Sequence, residues 1–338
     1  MRVALDLQLA VGTSTGIGEY VRGLAAALRA TDIEVCELAN PRLDPWRFDR
    51  RVRWDQIELP AQLRRSGAEL LHATSGTMPY RARVPVVTTV HDLAWLRVQG
   101  HTRPYARWYF GTFMRELYRT AAAIVVDSDF TRTEYLELIG GDPARVHVVY
   151  PGVDPVFAAL ERVRAERPFA LALGTVEARK NLLRAIETVA AIDGLRLISV
   201  GPPTPYLDVC RARVIELGIA DRVEFRGYVE RSELVRLHAE AAVALAPSRY
   251  EGFGYAAAQA ICAGIPLVAA ATSSLIEVTG RSGTLCDPDD SAAWIDATRA
   301  ALQPSDSPTP TQRRAAAERF AWSTAAAACS AIYRSVLS

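Results

Sequence analysis

Short apolar runs recur along the chain, each closed by a glycine, a proline or a polar pair, and between them apolar residues return at helical spacing. Residues 2–7, 69–73, 85–90, 123–126 and 146–150 read as buried strands of a parallel sheet. A second series follows at 169–174, 195–200, 223–226, 242–246 and 267–270. Helices are expected at 21–28, at 256–261, after Ser232, after an Asp287–Asp290 cap, and at 322–337. Asp129 or Thr131 is the expected cap of one more helix. Strand–helix alternation of this kind predicts two α/β halves. The turn Pro151-Gly152-Val153-Asp154 ends the first half, and the charged, proline-flanked residues 155–168 read as a linker.

Two stretches break the rhythm. Residues 41–65 are arginine-rich, with Trp46, Phe48 and Trp54 among Arg42, Arg47, Arg50, Arg51 and Arg53, and are expected to be an irregular connection or a surface for an anionic or lipid-linked acceptor. Residues 103–119 are helical and crowded with Tyr105, Trp108, Tyr109, Phe110, Phe113 and Tyr118. At roughly 100° per residue these spread too widely for one core stripe. That helix is either buried on both faces or partly turned to a membrane interface or a large acceptor.

The densest chemistry lies between Ala246 and Gly280. A strand ends at Pro247-Ser248, and Glu251 precedes Gly252-Phe253-Gly254, where two glycines let backbone approach a ligand. Tyr255 opens an alanine-rich helix that carries Gln259 and ends at Gly264-Ile265-Pro266. The helix start offers free backbone N–H groups and a positive dipole end to an anion.

Composition narrows the setting. With 338 residues there is room for two cores, and 39 basic against 38 acidic side chains argue against nucleic acid as the partner. Five scattered cysteines without a CxxC argue against structural zinc and suit a reducing cytoplasm. The first run carries Asp6 and Gln8, so it reads as a strand and not as a signal peptide, and no apolar run approaches the roughly 20 residues that span a bilayer. Lys180 is the only lysine in a chain that otherwise uses arginine, which singles out its compact ammonium. It follows Arg179 just past a strand that ends at Gly174-Thr175, where two cations are placed to hold a diphosphate. His91-Asp92 stands at a strand end, where open α/β sheets place ligand groups, and His91 could orient or protonate an acceptor with Asp92 setting its tautomer. The glycine loop holding Gly16 and Gly18 is not a GxGxxG fingerprint, which weakens a dehydrogenase reading.

Taken in order, residues 16–20, His91-Asp92, the PGVD turn, the GTVEARKN segment and the EGFGY…Gln259 stretch resemble the motifs of retaining family 4 glycosyltransferases. The resemblance covers nearly the whole chain and leans to a mannosyltransferase-like branch. It implies the GT-B fold, two Rossmann-like doubly wound α/β domains facing each other across a cleft. The first would span 1–155 and bind acceptor, with 156–168 as linker. The second would span 169–320 and bind nucleotide sugar, and 321–338 would cross back to the first domain. The implied catalytic residues are Glu251, His91, Lys180 and Arg179. The implied donor contacts are Gly174, Thr175, Tyr228, Val229, Ser248, Gly252, Phe253, Gly254, Tyr255 and Gln259. Gly16, Gly18 and Asp92 would lie on the acceptor side.

One position departs from the family: Gln259 stands where a glutamate usually holds the ribose, and an amide accepts that hydroxyl without a charge. The implied reaction moves a hexose from a nucleotide diphosphate sugar, GDP-mannose as first choice, to a glycan or lipid-linked glycan in surface polysaccharide biosynthesis. No DxD-type pair stands at a strand end, so no metal or other cofactor is expected. The setting would be cytoplasmic, at the inner face of the membrane if peripheral contact is made. A non-catalytic nucleotide-sugar-binding subunit and a nucleotide-sugar epimerase stay open as alternatives.

Overall fold

The computed structural model describes residues 1–12, 16–97, 108–163, 165–303 and 309–338. It divides into two compact units, residues 1–152 with 320–338, and residues 153–319.

The first unit is built on six parallel strands, β1 (Arg2–Asp6), β2 (Glu34–Leu38), β3 (Leu70–Ala73), β4 (Val86–Val90), β5 (Ala123–Val126) and β6 (Val146–Val148), in the order β2-β1-β3-β4-β5-β6. Strands β3, β4 and β5 are buried at every position, as in a sheet covered on both faces, with His72, Thr88 and Thr89 the polar residues among their apolar ones. The edge strand β2 was not anticipated: its sequence EVCEL carries two glutamates and is buried only at Leu38. The helix Asp129–Leu138 is capped by Ser128, whose side chain accepts from the Thr131 N–H, and not by Asp129 or Thr131.

Residues 48–66 are not irregular. They form α-helix at Phe48–Arg53, a π turn at Trp54–Glu58 and α-helix again at Leu59–Ser66. The composition misleads because two of these side chains, Arg51 and Trp54, are buried, while Trp46 and Arg53 stay exposed. Trp54 is fully buried and its indole N–H donates to Asp6 Oδ1 at 2.9 Å, while Arg51 lies 3.1 Å from Asp55 in the same interior. Of residues 103–119, those from 108 on are described: a π turn at Tyr109–Met114 runs into Arg115–Tyr118. Tyr109 and Tyr118 are buried and Trp108 is exposed; Arg103, Tyr105 and Arg107 lie outside the described residues. The helix Trp322–Leu337 belongs to this unit, with buried Tyr333 meeting His72 Nδ1 at 2.6 Å.

The second unit has six parallel strands, β7 (Phe169–Leu173), β8 (Arg196–Val200), β9 (Val223–Phe225), β10 (Val243–Ala246), β11 (Leu267–Ala270) and β12 (Thr284–Cys286), in the order β12-β11-β10-β7-β8-β9. Chain order reverses between β7 and β10, the switch point at which such sheets leave a crevice at their carboxyl ends. The expected linker is part of this unit: Phe157 is buried against the His238 ring, and the Val163 N–H donates to the Ala239 carbonyl at 2.9 Å. The helix at Arg231–Glu240 starts one residue before Ser232, and Glu230 at its N-cap makes no side-chain cap. Asp290 caps Ser291–Ala301 by accepting from the Ala293 N–H.

Candidate active site

The β7–β10 switch point holds a recess with about 410 Å³ of empty space, lined by Gly174, Thr175, Lys180, Ser248, Glu251 and Gly254 among others. Two glycines shape it. Gly254 has φ 95°, caps the helix Tyr255–Ala263, and a Cβ there would press on Leu275. Gly201, at the end of β8 with φ 151°, lies against the Gly174–Thr175 backbone, where a Cβ would overlap the Gly174 carbonyl.

Lys180 ends a short turn, Ala178–Lys180, and its stem runs along Gly174. Its Nζ donates to Glu251 Oε1 at 2.6 Å and Oε2 at 2.8 Å. The Ser248 hydroxyl donates to Oε1 at 2.8 Å, and Arg179 Nη1 lies 3.4 Å from Oε2. Burial pushes the Glu251 carboxyl up, but Lys180 and Arg179 outweigh it and hold the group below its ordinary value. Arg179 also donates to the Tyr250 carbonyl at 2.8 Å and to Glu177 at 2.7 Å, so it braces the Glu251 loop.

Sequence reasoning missed the loop that fixes this carboxylate. Ser273 Oγ accepts the Glu251 N–H at 3.0 Å, the Ser274 hydroxyl donates to the Glu251 carbonyl at 2.9 Å, and the Thr272 hydroxyl donates to the Ser248 carbonyl at 2.9 Å. The Thr-Ser-Ser run directly after an apolar strand is the signal that could have found it.

The other expected donor residues are placed less closely. Gly252 and Phe253 are buried in the loop before the helix, with the Phe253 ring 5.3 Å from Tyr255. Gln259 is buried on that helix and is not among the residues lining the recess. Tyr228 is exposed and Val229 half-buried, just past the carboxyl end of β9.

In the first unit, His91 stands past β4 at the carboxyl edge of its sheet. Its Nδ1 meets Asp127 Oδ2 at 2.6 Å and its Nε2 meets the Thr74 carbonyl at 2.9 Å. Asp127, and not Asp92, is thus the carboxylate paired with the ring, and Asp92 instead accepts from the Ala94 N–H at 3.1 Å. Asp127 directly follows the apolar run 123–126, a strand-end position that marks it as the signal for this partner. Gly16 is exposed and Gly18 buried in the first turn of Gly16–Arg29.

Two Rossmann-like units, one with a cation-lined recess at its switch point, define a GT-B glycosyltransferase. The chain belongs to glycosyltransferase family 4: residues 14–157 match the model described as Glycosyltransferase Family 4, and residues 167–304 that of Glycosyl transferases group 1. It is 30% identical to the D-inositol 3-phosphate glycosyltransferase of Mycobacterium marinum over 97% of this chain and 82% of that one. It is 31% identical to the glycogen synthase of Mycobacterium tuberculosis over 74% of this chain, and the match spans 63% of that enzyme's length. Among solved structures, sucrose-phosphate synthase from Thermosynechococcus elongatus superposes with a TM-score of 0.81 at 21% identity, covering 100% of this chain and 99% of that one. The Anabaena protein HepE, in complex with UDP and glucose, gives 0.73 at 16% identity, covering 99% and 100%. At these identities the superpositions speak for the fold. Among the described residues no helix is long and apolar enough to cross a membrane.

Proposed function

We propose that the protein is a retaining hexosyltransferase that carries its donor's diphosphate on Lys180 and its sugar on Glu251. The observation that carries this reading is the meeting of the chain's only lysine with Glu251 in the switch-point recess. As the bond from the anomeric carbon to the diphosphate oxygen breaks, negative charge builds on the leaving phosphate. The Lys180 ammonium and the backbone N–H groups at the start of Tyr255–Ala263 stabilise that charge. The acceptor hydroxyl attacks the same face of the sugar and passes its proton to a phosphate oxygen, so configuration is retained and no enzyme carboxylate becomes glycosylated. Glu251 orients the sugar, Gln259 takes the ribose, and Tyr228 and Val229 border the base. His91, Asp92 and the first turn of Gly16–Arg29 serve the acceptor. Protein cations supply the electrostatics, so the reaction runs without a metal.

A mannose-like donor on GDP is the first choice, and UDP is the other nucleotide to test, since HepE is bound to it. The acceptor is a glycan or lipid-linked glycan of surface polysaccharide biosynthesis, met in the cytoplasm at the inner membrane face. Exposed Tyr80 and Trp108, both against Phe113, support that last step, together with a recess lined by Arg64, Arg81 and Arg83.

Thermal unfolding with GDP, UDP, dTDP and ADP, each with and without EDTA, tests the reading. A ligand at 100 times its dissociation constant adds about 2.7 kcal/mol. A stabilising shift from one nucleotide, unchanged by EDTA, is expected. No shift from any would contradict a working donor site.

A further inference from the structure

We propose that Glu251 competes with the donor's diphosphate for the Lys180 ammonium, so that donor binding is an exchange of anions. The carboxylate leaves the amine as the phosphate arrives, and the released carboxylate is delivered to the sugar. This rests on the donor reading above.

The geometry sets up the competition. An ammonium has three N–H donors, and Glu251 engages Lys180 Nζ through both of its oxygens, at 2.6 and 2.8 Å. The lysine and glutamate side chains are only 20% and 12% exposed, so solvent screens them poorly. One cation there cannot hold a carboxylate and a diphosphate together without their mutual repulsion. Arg179 does not relieve the conflict, because its donors also serve Glu177 and the Tyr250 carbonyl.

The exchange needs only the Glu251 side chain to move. Its N–H is held by Ser273 and its carbonyl by Ser274, so the backbone is pinned. Ser248 donates to Oε1, a hydroxyl partner that carries no competing charge.

A separate observation points the same way. Among the described residues only two non-glycine residues have positive φ, Asn181 at 53° and Ser273 at 47°. Asn181 directly follows Lys180, and Ser273 holds the Glu251 backbone. Left-handed backbone at non-glycine residues is unfavourable and persists where the surroundings over-determine it. Here both instances adjoin the two members of one ion pair.

The test uses nucleoside diphosphates, which carry no sugar for Glu251 to touch. Titration calorimetry compares wild type with Glu251→Gln, using whichever of GDP, UDP, dTDP or ADP the wild type binds. The exchange predicts that the amide variant binds it about three- to tenfold tighter, as expected for loss of a partly buried competing ion pair. Glu177→Gln removes a similarly little-exposed charge from Arg179 without touching Lys180, and should shift affinity less than Glu251→Gln does, because the Lys180–Glu251 pair is left in place. Should Glu251→Gln not fold, Glu251→Asp, which withdraws the carboxylate by one methylene, is expected to tighten binding by a smaller factor. Equal or weaker binding by the Glu251 variant, or equal tightening by Glu177→Gln, overturns the exchange and leaves the donor reading intact. Binding of no nucleotide by wild type or variant overturns both.

Discussion

His91 is held at both nitrogens, with Nδ1 2.6 Å from Asp127 Oδ2 and Nε2 2.9 Å from the Thr74 carbonyl oxygen. A carbonyl only accepts, so Nε2 carries a proton, and Nδ1 and the carboxylate share the next one. Burial pushes the imidazole pKa down, but the Asp127 carboxylate outweighs burial and raises it. A histidine raised on folding contributes stability that is complete below its unfolded pKa of 6.5 and is lost as pH rises through the folded value. In Asp127→Asn the strongest group opposing burial is gone, and only the Thr74 carbonyl and Asp92 still favour the charged ring, so His91 should titrate lower than in the wild type and that part of the stability should shrink. An NMR titration of the ring protons checks this, and an unchanged His91 titration would contradict the account.

Gly201→Ala should damage the donor recess from behind. The added Cβ has nowhere to go but into the Gly174 carbonyl, and φ 151° is already unfavourable for alanine. Overpacking of this kind costs about 1–3 kcal/mol. Urea denaturation should show a loss of that size, accompanied by weaker nucleotide binding. Wild-type stability in the variant would mean that the β7–β8 backbones are not packed as described.

The aromatic–arginine surface of the first unit predicts attraction to anionic lipid. Tyr80 and Trp108 are 63% and 62% exposed, and Arg81 sits 5.7 Å from the Tyr80 ring centroid. Co-sedimentation with vesicles containing phosphatidylglycerol should exceed that with phosphatidylcholine alone, and Tyr80→Ser with Trp108→Ser should reduce it. Equal sedimentation with both vesicle types would remove the membrane from the proposal.

The alternation of apolar runs and helical spacing made the two parallel sheets legible, because strands buried on both faces read as runs rich in Val, Ile, Leu and Ala even where His72, Thr88 and Thr89 interrupt them. It failed where polarity and burial part company. Residues 48–66 read as irregular because arginines and aromatics are mixed there, yet Arg51 pairs with Asp55 inside the fold and both are held by Thr77. Strand β2 was hidden by its edge position, where glutamates face solvent. In the site, local motifs brought Lys180 and Glu251 into view. Asp127, 36 residues from His91, was not visible as its partner because sheet order brings the two together, and Ser273 and Ser274, though in the same stretch as Glu251, meet it because β10 and β11 lie side by side.

The most direct test of the account removes the one lysine. Lys180→Ala, which leaves the little-exposed Glu251 carboxylate without its main cation, should lose about 1–3 kcal/mol of stability, and Lys180→Arg, which keeps a charge there, should lose less. With the donor identified by the nucleotide panel, turnover in both variants should fall by about 10²–10³, the usual loss when a preorganised stabiliser of developing charge is removed. The arginine variant should not rescue it, because a planar fork cannot take the place of a compact ammonium beside Gly174. Turnover at the wild-type rate in Lys180→Ala would contradict the central claim that this ammonium carries the leaving diphosphate.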